Sequence, residues 1–329
     1  GGVILRREVV FQHYEDRILI RYTLVDSHSE TKLRLRPFLA FRSVKEFTHA
    51  NGVANRNYQV VDGGICTCLY AGYPNLYLQF DKPNEFIYQP DWYRDIEYAK
   101  ERERGYDSTE DLYVPGYFEL DIKKGESVVF SASTSEIEPA TLHDLFAKEV
   151  AERTPRDNFF HCLVNAAHQF HIHEKNGDRY ILAGYPWFKC RARDMFIALP
   201  GLTLSINERD YFELVMETAM RGLQEFMAGQ PLSVKIAEIE QPDVMLWAVW
   251  CIQQYAKDAG LKACQSRYGE LLHAILSFIE SGHHPHLTLK ENGLVYTEGH
   301  EKPMTWMNSM ADGHPIVPRS GYIVEFNAL

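Results

Sequence analysis

The hydrophobic period of the chain changes from two to 3.6 near residue 140, and this limits the possible folds more than any other feature. Before the change, Ile18, Ile20, Tyr22 and Leu24 alternate with polar or smaller neighbours. Leu33, Leu35, then Leu76, Leu78 and Phe80, and Phe118, Leu120 and Ile122, do the same. Period two sends successive side chains to opposite faces of a strand, so each run predicts one buried face and one wet face. Asp62-Gly63-Gly64 and Lys123-Lys124-Gly125-Glu126 supply turn chemistry between runs. Short alternating strands joined by such turns predict an antiparallel β-sandwich. One segment departs from this pattern. Trp92, Ile96 and Ala99 stand at helical spacing within 91–105 and predict a helix stopped by Gly105, with Glu97, Lys100, Glu101, Arg102, Glu103 and Arg104 as its solvated face.

After residue 140 the apolar stripes are helical. Phe159, Leu163, Ala166 and Phe170 form one, and Phe212, Val215, Met216, Ala219, Leu223 and Phe226 a second. Val244 to Tyr255 is apolar nearly all round, which predicts a helix buried on several sides. Tyr268, Leu271, Leu272, Ile275 and Ile279 form another stripe, ended by Gly282 and Pro285. Strands followed by helices mean two domains. The expected division is a β-sandwich over 1–138, a linker helix over 139–155 and a helical bundle, ring or solenoid over 156–329.

Charge narrows the function classes. Lys plus Arg is 34 and Asp plus Glu is 45, so the formal net charge is −11. That balance argues against nucleic acid or an anionic membrane as partner, because both require a basic face. No apolar run approaches the ~18 residues of a membrane span. Cys66, Cys68, Cys162, Cys190, Cys251 and Cys264 make no disulfide framework in a chain of this size, and read as free thiols of a reducing, cytoplasmic compartment. Cys66-x-Cys68 is too tightly spaced for a zinc knuckle. His168, His171 and His173, like His283, His284 and His286, find no Cys or carboxylate at ligand spacing, so neither metal nor other cofactor is expected.

Two segments carry chemistry. In 184–201, Trp187 and Phe188 precede Arg193-Asp194 at the expected start of a helix. Adjacent Arg and Asp offer a fork of donors and two acceptors to a polyhydroxylated ligand, or else an ion pair with Asp near the positive end of the helix dipole. The second segment, 304–327, is loop-like yet holds Trp306, Asn308, Asp312, Arg319 and Glu325. Catalytic groups concentrate in loops held by a rigid scaffold.

The run Tyr185-Pro186-Trp187-Phe188, then Arg193-Asp194, then Ile197-Ala198-Leu199-Pro200-Gly201-Leu202, resembles the amylo-α-1,6-glucosidase domain of glycogen debranching enzymes. Thr305-Trp306-Met307-Asn308, Pro318-Arg319-Ser320-Gly321 and Val324-Glu325-Phe326-Asn327-Ala328-Leu329 resemble later blocks of that domain. Trp92-Tyr93, Glu97-Tyr98, Arg104-Gly105, Glu110-Asp111-Leu112 and Pro115-Gly116 resemble the family's bacterial N-terminal domain. The resemblance implies a β-sandwich and the first part of an (α/α)6 toroid. It also implies that both domains are incomplete and that the rest of the same polypeptide is a partner. The implied reaction is inverting hydrolysis of α-1,6 branch points in glycogen or a related α-glucan, with two carboxyls ~6.5–9.5 Å apart.

In this frame Trp187, Arg193, Asp194, Trp306, Asn308, Arg319 and Glu325 are expected to bind substrate. Asn308 replaces the carboxylate of the family's Thr-Trp-Met-Asp block, and an amide has no proton to give. Asp312, four residues on, is therefore the candidate general acid, with Glu298 and Glu301 as weaker ones and the base expected beyond Leu329. Two other functions fit the same residues: a binding-only α-glucan protein, or a toroid hydrolase of another α-glucoside.

Overall fold

The alternating runs form strands. In a computed structural model describing residues 2–185, 187–298 and 301–329, nine strands precede residue 140. They are β1 Ile4–Phe11, β2 Arg17–Asp26, β3 Thr31–Leu35, β4 Tyr58–Val61, β5 Gly64–Thr67, β6 Leu76–Phe80, β7 Glu85–Glu97, β8 Thr109–Ile122 and β9 Ser127–Ser133. One sheet has the order β1-β2-β9-β6-β5-β4 and the other β3-β8-β7, and every pairing within them is antiparallel. Asp62-Gly63 closes the β4–β5 hairpin, with Gly63 at φ 66°. The turn at 123–126 joins β8 to β9, with Gly125 at φ 85°.

The two sheets share a core of Leu24, Ile65, Leu78, Phe80 and Val128 from the first and Phe118, Leu120 and Ile122 from the second. The helix expected over 91–105 is not there. β7 runs through Glu97, and only α1, Ala99–Glu103, is helical. The β7–β8 register shifts between Tyr88 and Asp91 and again between Tyr93 and Ile96. A bulge inserts a residue and breaks the alternation of faces. A spacing of four fits both a period of two and a turn of helix, so Trp92 and Ile96 do not by themselves separate strand from helix. The indole of Trp92 is buried edge-on to Tyr113, with ring centroids 5.5 Å apart.

The outer face of the six-stranded sheet is not uniformly wet. Leu19 and Val129 are buried there against Leu142 and Phe146 of α2, Leu142–Ala151. This helix belongs with the strands in one compact unit, Gly1–Thr154, and the remainder forms a second, Pro155–Leu329.

The second unit contains α3 Phe159–His168, a hairpin of β10 His171–His173 and β11 Arg179–Ile181, then α4 Ala192–Leu202, α5 Arg209–Met227, α6 Val244–Ala259 and α7 Leu261–Glu280. Short hairpins follow, β12 Thr288–Leu289 with β13 Val295–Tyr296 and β14 Met310–Ala311 with β15 His314–Pro315, and then α8 Val324–Ala328. Phe196 and Leu199 of α4, Phe212 and Val215 of α5, Val244 and Ala248 of α6 and Tyr268 and Ile275 of α7 share one core. As its composition demands, α6 is buried on several sides. The first stripe departs from expectation. Phe159 is 78% exposed and Leu163 50%, while α3 buries Asn165 and Ala167. Periodicity states which residues share a face but not whether that face is covered. Among the described residues no helix is long and apolar enough to cross a membrane.

Two glycines show two kinds of close approach. A Cβ on Gly222 of α5 would stand 2.7 Å from Val234 Cγ2, and one on Gly64 would stand 1.9 Å from the Leu78 carbonyl oxygen. A side chain can yield where a ladder carbonyl cannot. Gly222→Ala is expected to cost about 1–3 kcal/mol, the usual range for overpacking, and Gly64→Ala more. Denaturant unfolding of both variants checks the order; equal losses would contradict it.

Candidate functional site

The N-terminus of α4 is held by the strap 235–243, which precedes α6. Ala192 N–H donates to the Ala237 carbonyl and Ala237 N–H to the Cys190 carbonyl, both at 3.0 Å. Lys235 N–H donates to the Tyr180 hydroxyl at 3.0 Å. Arg191 lies 3.5 Å from Glu238, a non-glycine residue at φ 61°. Arg193 Nε and Nη2 donate to Asp243 Oδ2 and Oδ1 at 2.5 and 2.8 Å. The side chains of this pair are 6% and 0% exposed. Breaking such a buried pair costs about 3–5 kcal/mol, because the remaining charge has no water to turn to.

Arg193 therefore pairs with Asp243 rather than with its neighbour. Asp194, in the first turn of α4, is exposed and lines a cavity of about 310 Å³ with Phe170, Leu182, Ala183, Ile197, Ala198 and Leu202. That volume is at the lower end of small-ligand sites. A helix N-terminus favours a carboxylate through the dipole, so Asp194 is stabilised there without a cation.

The aromatic loop before α4 is closed by Phe188 N–H on the Gly184 carbonyl at 2.8 Å and Ala183 N–H on the Lys189 carbonyl at 3.1 Å. Trp187 is 51% exposed, Arg191 stacks on Phe188, and Tyr185 stacks on Phe170. Pro186, part of the same motif, lies outside the described residues. Trp306 is 58% exposed. Neither tryptophan is a core residue, so both present flat apolar faces at the surface.

Asn308 and Asp312 are exposed. Asp312-Gly313 forms the tip of the β14–β15 hairpin with φ 49° and 80°. Asp-Gly is a preferred pair for this left-handed turn, so the backbone alone accounts for an aspartate here. Arg319 Nη1 donates to Glu325 Oε2 at 2.5 Å, which brings two of the expected binding residues together. Glu325 Oε1 is buried with no hydrogen-bond partner among the described residues. Asn327 is a staple, accepting from Val295 N–H and donating to the Val295 and Ile323 carbonyls. Glu298 and Glu301 are exposed.

Sequence reasoning missed Asp243, Glu238 and the strap that carries them. The one available signal was Asp243 directly after Pro242 at the head of an apolar run, which reads as an ordinary helix cap.

The histidines have local partners. His168 Nε2 meets Glu208 Oε1 at 2.5 Å, and His171 Nε2 meets the Leu202 carbonyl at 3.0 Å. His284 Nδ1 accepts from His286 N–H at 3.1 Å. Outside these, His13, Glu149 and Glu152 cluster, but Glu149 also takes Arg153 Nη1 at 3.1 Å, a cation already in place.

Burial and the nearby His286 push His284 down to about 4. The unfolded chain binds this proton below its ordinary value near 6.5, and the folded chain only below about 4. Stability from this group is thus complete above pH 6.5 and falls with pH down to about 4, by roughly 3 kcal/mol in all. His284→Phe should remove that slope from a stability-versus-pH curve; an unchanged slope refutes the assignment. Burial also pushes the Cys190 thiol up to about 12 and raises Cys251 and Cys264, whereas Cys162 is exposed. Only thiolates react readily, so alkylation at pH 8 should label Cys162 first, read by peptide mass.

Comparison with known families matches both units. The glycogen debranching enzyme N-terminal model matches residues 1–129, and the amylo-alpha-1,6-glucosidase model matches 164–329. Searches of curated proteins and of solved structures matched nothing. The second match contains α4 with Asp194, the Arg193–Asp243 pair, both exposed tryptophans and the 304–327 segment. The chain belongs to the glycogen debranching enzyme family and carries an amylo-α-1,6-glucosidase-type glycoside hydrolase domain.

Proposed function

We propose that the protein hydrolyses α-1,6 branch points of glycogen or a related α-glucan with inversion. The observation that carries this is the amylo-alpha-1,6-glucosidase match over 164–329, which includes every residue placed at the site. We read the first unit as a β-sandwich and the second as the first part of an (α/α)6 toroid, in a cytoplasmic protein. The Arg193-Asp194 dipeptide forms part of the glucosyl site, with Asp194 facing the cavity. Trp187 and Trp306 cover its C–H faces. Glu325, fixed by Arg319, has a buried acceptor that a sugar hydroxyl would satisfy. Asn308 binds a hydroxyl through its amide, and Asp312 donates the proton to the leaving oxygen.

The exposed hairpin position of Asp312 favours a second reading, a protein that binds α-glucan without turning it over. Assay of the natural full-length polypeptide on a branched limit dextrin separates the two. Hydrolysis should release glucose first as the β-anomer, seen by proton NMR. Asp312→Asn should lower kcat by about two to four decades, the usual share of a general acid. Asn308→Ala should be milder and act mainly on KM. Maltooligosaccharide binding without glucose release selects the second reading. Turnover of isomaltose or kojibiose but not of the limit dextrin points to another α-glucoside as substrate.

A further inference from the structure

We propose that Arg193 and Asp243 form a positioning pair, so that Asp194 alone of this group touches the sugar. The inference rests on the reading of 193–194 as a glucosyl site and divides that dipeptide into a contact residue and its support.

Asp243 occupies the position before the first turn of α6, where an aspartate ordinarily accepts from the helix's free N–H groups. It makes no such cap, and both of its oxygens are on Arg193. Arg193 in turn sits in the first turn of α4, where the dipole disfavours a cation. It is also out of water. Both residues thus give up their ordinary local preference for a single contact across 50 residues of sequence.

An apolar pair of similar volume is often as stable as a buried ion pair. Stability alone therefore does not explain the choice, whereas orientation does. A two-point fork fixes the rotation of α4 about its axis, which packing by Met195 and Phe196 does less sharply. That rotation turns Asp194 into the cavity while Arg193 stays buried; of the two, only Asp194 lines it.

The test uses 1-deoxynojirimycin, a glucose-shaped amine, titrated by calorimetry into the full-length polypeptide. Wild-type binding that is lost in Asp194→Asn supports the site, and absence of wild-type binding overturns both the site and this inference. Arg193→Ala, Asp243→Ala and the isosteric Asp243→Asn should each weaken binding by about 10- to 100-fold, the range of a charged hydrogen-bonded contact. The Ala double variant should be no worse than either Ala single. The apolar pair Arg193→Met with Asp243→Leu should recover most of the lost affinity, because it refills the support. Failure of that folded pair to recover binding shows that Arg193 itself touches the ligand and overturns the proposal. So does a wild-type affinity in singles whose melting temperature is lowered, since the pair would then be structural only.

Discussion

The buried Arg193–Asp243 fork determines how the helical unit presents its candidate site. Two full charges out of water are tolerated only where the geometry satisfies them both, and here both carboxylate oxygens are used. The contact joins the first turn of α4 to the head of α6. The strap between α5 and α6 is fastened to the same place by the Ala192 and Ala237 amides. Apolar packing keeps Met195, Phe196, Val244 and Met245 inside, but it is non-directional. The fork adds direction, and the outward face of α4 with Asp194 follows from it.

The fold was legible where a run had a single period and a covered face. Phe212 through Phe226 and Tyr268 through Ile279 became the buried sides of α5 and α7, and the Asp62-Gly63 and Lys123–Glu126 turns fell between strands. It was illegible in β7, where Trp92 and Ile96 stand four apart, a spacing that fits a strand and a helix turn alike, and where two register shifts break the alternation around them. It was also illegible where a stripe faced outward, as with Phe159 and Leu163 of α3. The local motifs pointed to residues whose surroundings the structure describes: Asp194 lines a cavity, Trp187 and Trp306 are exposed, and Arg319 pairs with Glu325. The partner of Arg193 was not legible. A contact across 50 residues leaves no periodic trace, and an aspartate heading a helix looks like a cap.

Both units use buried carboxylates to fasten irregular segments. In the first, Glu110 is fully buried yet receives Arg42, the Tyr98 hydroxyl at 2.6 Å and Thr48 N–H at 3.4 Å, and Asp111 accepts from Ala50 and Asp95 N–H groups at 2.8 and 2.9 Å. These contacts tie loop residues 42–50 to β7 and β8. They explain physically why the acidic pair in the N-terminal motif stands where loops meet the sheet. In the second unit buried Asp178 likewise fastens the β10–β11 turn, taking Asn176, the Tyr180 hydroxyl and Arg221, while buried Asp243 serves a helix end beside a cavity. The same chemistry anchors loops and turns in both units and, at Asp243, also fixes the first turn of α4 beside a cavity.

Asp312 shows how far position alone carries a catalytic assignment. Its left-handed turn is satisfied by Asp-Gly for backbone reasons, so an aspartate four residues after Asn308 has a purely conformational explanation. A general acid working near neutral pH needs its charged form disfavoured, by burial or by a neighbouring carboxylate. At the hairpin tip, Asp312 is exposed. The proposed role therefore requires the glucan itself to complete the site, lying over the hairpin and excluding water from the carboxyl. Exposed Trp306, six residues earlier, is a suitable surface for that sugar to rest on. Catalysis and binding are then one event: a variant that loses the aromatic face loses the desolvation of the acid as well. Trp306→Ala should consequently lower kcat as well as raise KM, whereas a tryptophan that served only for affinity would raise KM alone.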